Sequence, residues 1–307
     1  MPLDILLDTD IATDVDDLLA LSLILSSPEL RLLGVTCVYG DVDLRARYAT
    51  KLLSLAGYSS VPVMAGARQP LLNKREIYWG GHEGKGFLEE QDTHIAYSSE
   101  HAVDYLIRMA MQHPGQIHLI AIGPLTNLAL ALIRHPQLPL KHITIMGGVI
   151  RGSERLDLPF AEHNIICDPE AAHVVFSSGL PITVVPLDLT TQVRILRESV
   201  KRIRSGGTPL QQMVAQQIEV YPWFQSHGYT FLHDPLAAAV VIDPTLVQTR
   251  RVSIQVELGG EYTAAMTLMR NDPNSPIEVA VAVDIARFES FFVERLAQFA
   301  HGKSVSK

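Results

Sequence analysis

The sequence predicts an α/β protein: an open, mainly parallel but mixed sheet of Rossmann type, flanked by helices. Three observations predict it. Short apolar runs alternate with helical periodicity along most of the chain, the pattern of strand–helix–strand units. The strand-like runs are continuously apolar rather than alternating, as expected when helices cover both faces of a sheet. The polar clusters follow those runs directly, at the carboxyl ends of strands, where open α/β sheets bind ligands.

The elements follow in chain order. Ile5-Leu6-Leu7 reads as a buried strand, then an acidic loop, then a helix over about 17–26. Residues 30–39 form a second strand, 44–56 a helix and 61–65 a third strand. Residues 116–122 are the next strand, with a helix from about Thr126. A strand over 142–146 precedes Gly147-Gly148. The helix over 168–177 is capped by Asp168, with Pro169 at its first position, and 181–186 is a strand. From 252 to 283 the pattern changes. Strand-like stretches at 252–257 and 277–283, with a Gly259-Gly260 turn between, read as an antiparallel edge. A helix over 285–300 closes the chain, and 302–307 is a frayed tail. Two stretches, 66–98 and 151–167, lack clear periodicity, and loops of that length are usually functional or mobile. No repeat, low-complexity tract or Pro/Gly/Ser-rich linker interrupts the chain, so residues 1–307 read as a single domain.

Composition narrows the function. With 47% hydrophobic residues in 307, the chain can bury a substantial core, which excludes disorder as the main state. Acidic residues (33) outnumber basic ones (25) for a net charge of -8, and aromatics are only 7%. Neither suits a nucleic-acid partner, which wants a basic face and stacking rings. Cys37 and Cys167 are the only cysteines, which suits a reducing compartment. The start carries Asp4 and Asp8 and no basic n-region, and the apolar runs 18–25 and 235–242 are too short to span a bilayer. The expectation is a soluble, cytoplasmic protein without a membrane partner.

Asp8, Asp10, Asp14, Asp16 and Asp17 place five carboxylates within ten residues, just after the first strand. Such crowding is repulsive unless a cation neutralises it, and dense oxygen donors suit Ca²⁺ or Mg²⁺. The plainer alternative is a solvated loop with Asp16 or Asp17 as helix N-cap. An EF-hand does not match, because the fifth and sixth places from Asp8 are Ala12 and Thr13. Gly123-Pro124-Leu125-Thr126-Asn127 is a turn into a helix, whose Thr126 or Asn127 serves as cap or site. In Ala161-Glu162-His163-Asn164, Glu162 and Asn164 are suited to the hydroxyls of a polyol. In His233-Asp234-Pro235, Asp234 is a natural N-cap, and a cap can also present a carboxylate to a metal. His82 lies in the glycine-rich stretch 80–86, which reads as a mobile cover rather than a phosphate cradle, because no helical pattern starts after it.

These elements, with Met146-Gly147-Gly148 and Asp168-Pro169-Glu170-Ala171-Ala172, occur in an order that resembles the nucleoside hydrolases of the inosine–uridine-preferring type, over about residues 4–285. The resemblance implies a Ca²⁺-dependent hydrolase that cleaves the N-glycosidic bond of ribonucleosides to free base and ribose, on that family's mixed, mainly parallel α/β sheet. By position, Asp10, Asp17, the Thr126 carbonyl and Asp234 would hold the metal, and Asp10 would deprotonate the attacking water. Asp16 would bind the 2′-hydroxyl, Asn164 with Asp234 the 3′-hydroxyl, and Glu162 the 5′-hydroxyl, with Met146 lining the sugar. His233 and His82 match positions near the leaving base, His233 as its proton donor. The chemistry agrees. Glycosidic cleavage builds positive charge on the ribose that carboxylates favour, and a histidine of near-neutral pKa can protonate a poor leaving group. The resemblance also implies a homo-oligomer, dimer or tetramer. The chain departs from the family's common pattern in three places. Ile11-Ala12 stand for Pro-Gly with two extra residues before Asp16, Asp41 stands for an Asn among the substrate contacts, and Leu156 stands for an Asn near the 5′-hydroxyl. Trp223, Phe224 and Tyr229 either stack on a base or pack a helix. Two other readings compete: a haloacid dehalogenase-like Mg²⁺ phosphatase, which also opens with Asp-x-Asp after a strand, and a non-catalytic nucleoside- or ribose-binding member of the same fold.

Overall fold

The computed structural model describes residues 1–72, 74–150 and 155–300. Its first half runs β1 (Leu3–Thr9), α1 (Asp16–Leu25), β2 (Leu30–Cys37), α2 (Val42–Leu55), β3 (Val63–Ala65), α3 (Ala102–Gln112), β4 (His118–Ala121), α4 (Thr126–Arg134) and β5 (His142–Met146). Then come α5 (His163–Cys167), α6 (Pro169–Phe176), β6 (Ile182–Val185), α7 (Leu187–Thr190), β7 (Arg194–Leu196) and α8 (Arg197–Arg204). The chain continues through α9 (Pro209–Val220), α10 (Pro222–His227), β8 (Tyr229–Phe231) and α11 (His233–Ile242). It closes with β9 (Val247–Val256), β10 (Thr267–Asn271), β11 (Ile277–Val283) and α12 (Ile285–Ala297).

Nine strands form one sheet in the order β10-β9-β11-β6-β5-β4-β1-β2-β3. Neighbours from β3 across to β11 run parallel, and β9 runs antiparallel to both β11 and β10. The predicted sheet is therefore present, including its antiparallel edge. The continuous apolar runs have the expected cause. Ile5 and Leu7 point into one core with α1, α2, α9, α11 and α12, while Leu6 between them points into the other with α3, α4 and α6. Strand order reverses at β1, which lies between β2 and β4, and this switch point opens the crevice of a doubly wound sheet.

Several elements lie outside the sequence expectations. Helix α8 is densely charged and buries only Val200 and Ile203, so it carries little apolar signal. Strands β7 and β8 have three residues each and form a separate two-stranded sheet. Strand β10 adds an outermost edge beyond the two strands expected there. Helices α3, α9 and α10 are further additions. The expected tail at 302–307 and the start of the aperiodic 151–167 stretch lie outside the described residues. Among the described residues, no helix is long and apolar enough to cross a membrane.

Candidate active site

Strand β1 ends at Thr9 and delivers Asp10 to a cavity of about 300 Å³ at the sheet's carboxyl edge. Gly123, which follows β4, allows this approach: a Cβ there would lie 2.8 Å from both the amide nitrogen and Oδ1 of Asp10. The acidic loop turns through Ala12, whose φ of 97° is a left-handed conformation at a residue with a side chain. The Ile11 amide donates to the Thr9 hydroxyl (3.1 Å), and that hydroxyl donates to Asp17. Arg45, buried beneath the loop, donates to the carbonyls of Asp10 and Ile11.

Helix α1 opens at Asp16 after Val15, with no side-chain cap. Asp16 and Asp17 are thus not spent on capping. The same holds for α11, which begins at His233 after Leu232. Asp234 is inside the first turn rather than the N-cap it was expected to be, and its carboxylate is spared. Oxygens of Asp16, Asp17 and Asp234 lie within 4.8 Å of one another, a group that could hold a metal ion. The donor set is oxygen only, which suits a hard cation.

The electrostatics point the same way. Burial pushes Asp16 up to about 8, with Asp14 adding to the rise. It drives Asp17 and Asp234 well above the usual carboxylate range, and neighbouring carboxylates push each further. Asp10 is also raised by burial, against the pull of Arg45 and His163. Without a counter-charge these acids resist ionising together.

Asn164 donates its amide to the carbonyls of Ile122 (3.0 Å) and Met146 (3.2 Å), which ties α5 to the ends of β4 and β5. Glu162 lines the cavity but also caps α5. It accepts from the amides of Asn164 (2.8 Å), Gly148 (3.1 Å) and Ile165 (3.3 Å). His233 Nδ1 lies 2.6 Å from the Thr190 hydroxyl, and burial lowers its pKa to about 4.

Of the residues expected at the site, the cavity gathers Asp10, Asp16, Asp17, Met146, Glu162, Asn164, His233 and Asp234. Three expected residues do not line it. Asp41 caps α2, accepting from the amides of Asp43 and Leu44, because its place at the helix start commits its carboxylate there. Thr126 opens α4 with its hydroxyl on Asp168 (2.7 Å), and the residue that lines the cavity after β4 is Ile122. His82 lines an adjoining cavity of about 320 Å³ with Tyr48, Gln217 and Tyr221, and Thr13 and Asp14 line both. Its glycine-rich stretch is docked on the acidic loop through Gly84 N–H to Ala12 O (3.0 Å). Leu156 is 91% exposed, Phe224 is core, and Trp223 stacks on His227. Tyr78, Ile122 and His163 are cavity residues the sequence did not single out for a role. His163 alone had a signal, since it stands inside the Glu162–Asn164 motif.

Comparison with known proteins matches this geometry. The family described as inosine-uridine preferring nucleoside hydrolase matches residues 5–290. An inosine-uridine preferring nucleoside hydrolase of Leishmania major is 34% identical, covering 96% of this chain and 98% of the relative. A pyrimidine-specific ribonucleoside hydrolase, RihA, of Enterobacter sp. (strain 638) is 35% identical over 98% of this chain and 99% of its own. Among solved structures, a purine-preferring ribonucleoside hydrolase from Gardnerella vaginalis superposes with a TM-score of 0.85 at 31% identity, covering 96% of this chain and 98% of that one. All are hydrolases of N-glycosyl bonds. The chain belongs to the inosine-uridine preferring nucleoside hydrolase family, and is an enzyme of that class.

Proposed function

We propose that the chain, acting as one catalytic domain, hydrolyses the N-glycosidic bond of ribonucleosides to free base and ribose in the carboxylate cavity, with Ca²⁺ as its metal. The observation that carries this reading is the convergence of Asp16, Asp17 and Asp234 from two helix starts beside Asp10, Glu162 and Asn164. Asp10, Asp17 and Asp234 are the side chains that would hold the ion. At that strand end Ile122 rather than Thr126 lines the cavity, and its carbonyl accepts the Asn164 amide on one lone pair, leaving the other for the ion. When bound, the ion supplies charge that holds vicinal hydroxyls and makes a nearby water more acidic. Asp10 takes the proton of the attacking water. Asp16 accepts from the 2′-hydroxyl and Asn164 from the 3′-hydroxyl, with Asp234 beside it. Glu162 faces the 5′-hydroxyl and Met146 packs on the sugar. The carboxylates favour the positive charge that develops on the ribose.

The base goes to the adjoining cavity, where His82 and Gln217 each have a buried side-chain nitrogen without a hydrogen-bond partner among the described residues. The relatives' printed names span inosine–uridine, pyrimidine and purine preferences, so they carry no single base to this chain. His233 donates the proton to the base once substrate raises its low pKa. Burial holds His233 neutral at pH 7, and a second reading gives the donor role to His163, which lines the same cavity. Loss of roughly 10²–10⁴-fold on a nucleoside in His233→Ala, with little loss on a nitrophenyl riboside, is the result that assigns acid catalysis to His233. Equal losses on both substrates assign it to positioning, and His163→Phe is then the variant that should show the contrast.

The reading includes a cytoplasmic homo-oligomer, dimer or tetramer, and exposed Tyr262 and Leu268 near the β10 edge offer apolar surface for self-association. The test of the whole is direct. A panel of ribonucleosides with Ca²⁺ should yield free base, chelation should abolish it, and Ca²⁺ should restore it. Full activity in metal-free protein would defeat the metal assignment.

A further inference from the structure

The acidic loop has one charged partner that the proposed chemistry leaves unused. Arg45 stands on α2 behind the loop, with 1% of its surface exposed. A guanidinium buried this deeply must be bonded. Its Nη1 donates to the carbonyls of Asp10 and Ile11 (2.8 Å to the latter) and to the Thr13 hydroxyl (3.1 Å), and its Nε to the Tyr39 carbonyl (2.7 Å). Its face lies 5.4 Å from the Trp79 ring centroid. Tyr39 in turn accepts the Tyr78 amide on its hydroxyl (2.9 Å), and Tyr78 lines the carboxylate cavity. One side chain therefore joins the acidic loop, the end of β2 and a wall of the site.

The pattern of acceptors separates two roles. Its charge favours the ionised forms of Asp10 and Asp17 from a distance. Yet every hydrogen-bond acceptor it grips on the loop is a backbone carbonyl or a hydroxyl, which is a hold on the loop's shape rather than on its charge. The loop also needs holding. It carries a left-handed alanine at Ala12.

We propose that Arg45 is a positioning residue of this enzyme: by gripping the carbonyls of Asp10 and Ile11 and the Thr13 hydroxyl, it fixes the loop that brings Asp10 and Asp17 together and, through Tyr39 and Trp79, sets the Tyr78 wall. This proposal rests on the reading given above, its kinetic part on the hydrolase activity and its metal-binding part on the Ca²⁺ assignment.

The experiment compares wild type, Arg45→Lys and Arg45→Met as full chains. Calorimetry reads Ca²⁺ binding to metal-free protein, steady-state kinetics read kcat and KM on a ribonucleoside, and thermal melting reads folding. In Arg45→Met, Ca²⁺ affinity should fall about tenfold or more, as for lost partners behind metal ligands. Its kcat should fall about 10²-fold, as expected for a misplaced reacting group, with KM little changed. Arg45→Lys should recover part of both. Folded variants with wild-type Ca²⁺ affinity and kcat overturn the proposal. So does failure of both Lys and Met variants to fold, which would make Arg45 a folding residue only. If wild type releases no base from any ribonucleoside, the hydrolase reading falls, and the Ca²⁺ affinities alone decide the role of Arg45.

Discussion

Ala12 adopts a backbone conformation that glycine takes at no steric cost. Left-handed φ at alanine costs about 1 kcal/mol net of the entropy glycine would lose. Ala12→Gly should therefore raise stability by about 1 kcal/mol, a shift of about 2 °C in a chain this size, read by thermal melting. A fall would mean the alanine methyl makes packing contacts worth more than the strain. Two residues on, the loop divides its acids. Asp16 belongs to the carboxylate cluster, whereas Asp14 is exposed and bonded to the Tyr221 hydroxyl. Steady-state kinetics should find that Asp16→Ala loses about 10³-fold or more in kcat while Asp14→Ala loses far less, if carboxylates at the sugar carry the charge stabilisation. The opposite ranking would move the ribose contact to Asp14. The acids were legible because five of them crowd ten residues. Arg45 was not, because its loop acceptors lie up to 35 positions away in sequence and are backbone and hydroxyl oxygens that leave no local pattern.

Helix starts explain both what the sequence foretold and where it misled. Asp41, Asp168 and Asp284 cap α2, α6 and α12 with their side chains, as aspartates usually do, and Glu162 caps α5 in the same way. The helices α1, α4 and α11 open after Val15, Leu125 and Leu232 with no side-chain cap. Capping and metal ligation use the same residue types one position apart, so sequence alone could not tell that Asp41 is a cap and Asp234 is not. The α5 cap carries a further consequence. Both Glu162 oxygens accept backbone amides, and burial raises its pKa against those bonds. Glu162→Gln would turn an amide group against those donors. Chemical denaturation should record a loss of about 2 kcal/mol with an unchanged m-value. A neutral result would show that a rotated amide keeps the bonds through its oxygen.

At the scale of the molecule, the sheet was readable because helices bury both of its faces, which keeps the middles of its central strands, such as Ile5-Leu6-Leu7, apolar on both sides. The parts that were not readable are short, charged or at the rim: β7, β8, β10 and α8 bury too little to mark a period. The same deep burial gives the buried carboxylates a pH response of determined sign. Burial raises Asp8 to about 7 and Asp16 to about 8, and drives Asp17 and Asp234 well up. Unfolded, these acids titrate near 4, so between about pH 4 and 8 the folded chain holds more protons than the unfolded one. Stability from these groups is present at low pH and is lost as pH rises through that window. Two buried histidines act in the opposite sense. His118, on the Thr144 hydroxyl at 2.8 Å, is lowered to about 3, and His233 to about 4. Their contribution is present above about 6.5, the unfolded value, and is lost as pH falls toward those lowered values. Metal-free protein should thus melt highest in mildly acidic buffer, and its Tm should fall as pH is raised through 8. A bound cation takes over from the protons. Ca²⁺ at about 100 times its Kd stabilises by about 2.7 kcal/mol, and affinity itself should rise with pH as the ligands ionise. Melting curves with and without Ca²⁺ at two buffers, one mildly acidic and one mildly alkaline, measure both effects. The Ca²⁺-induced rise in Tm should be clearly larger in the alkaline buffer. Equal rises in both, or a metal-free Tm that climbs with pH, would mean that the buried carboxylates are neutralised by something other than protons and the ion.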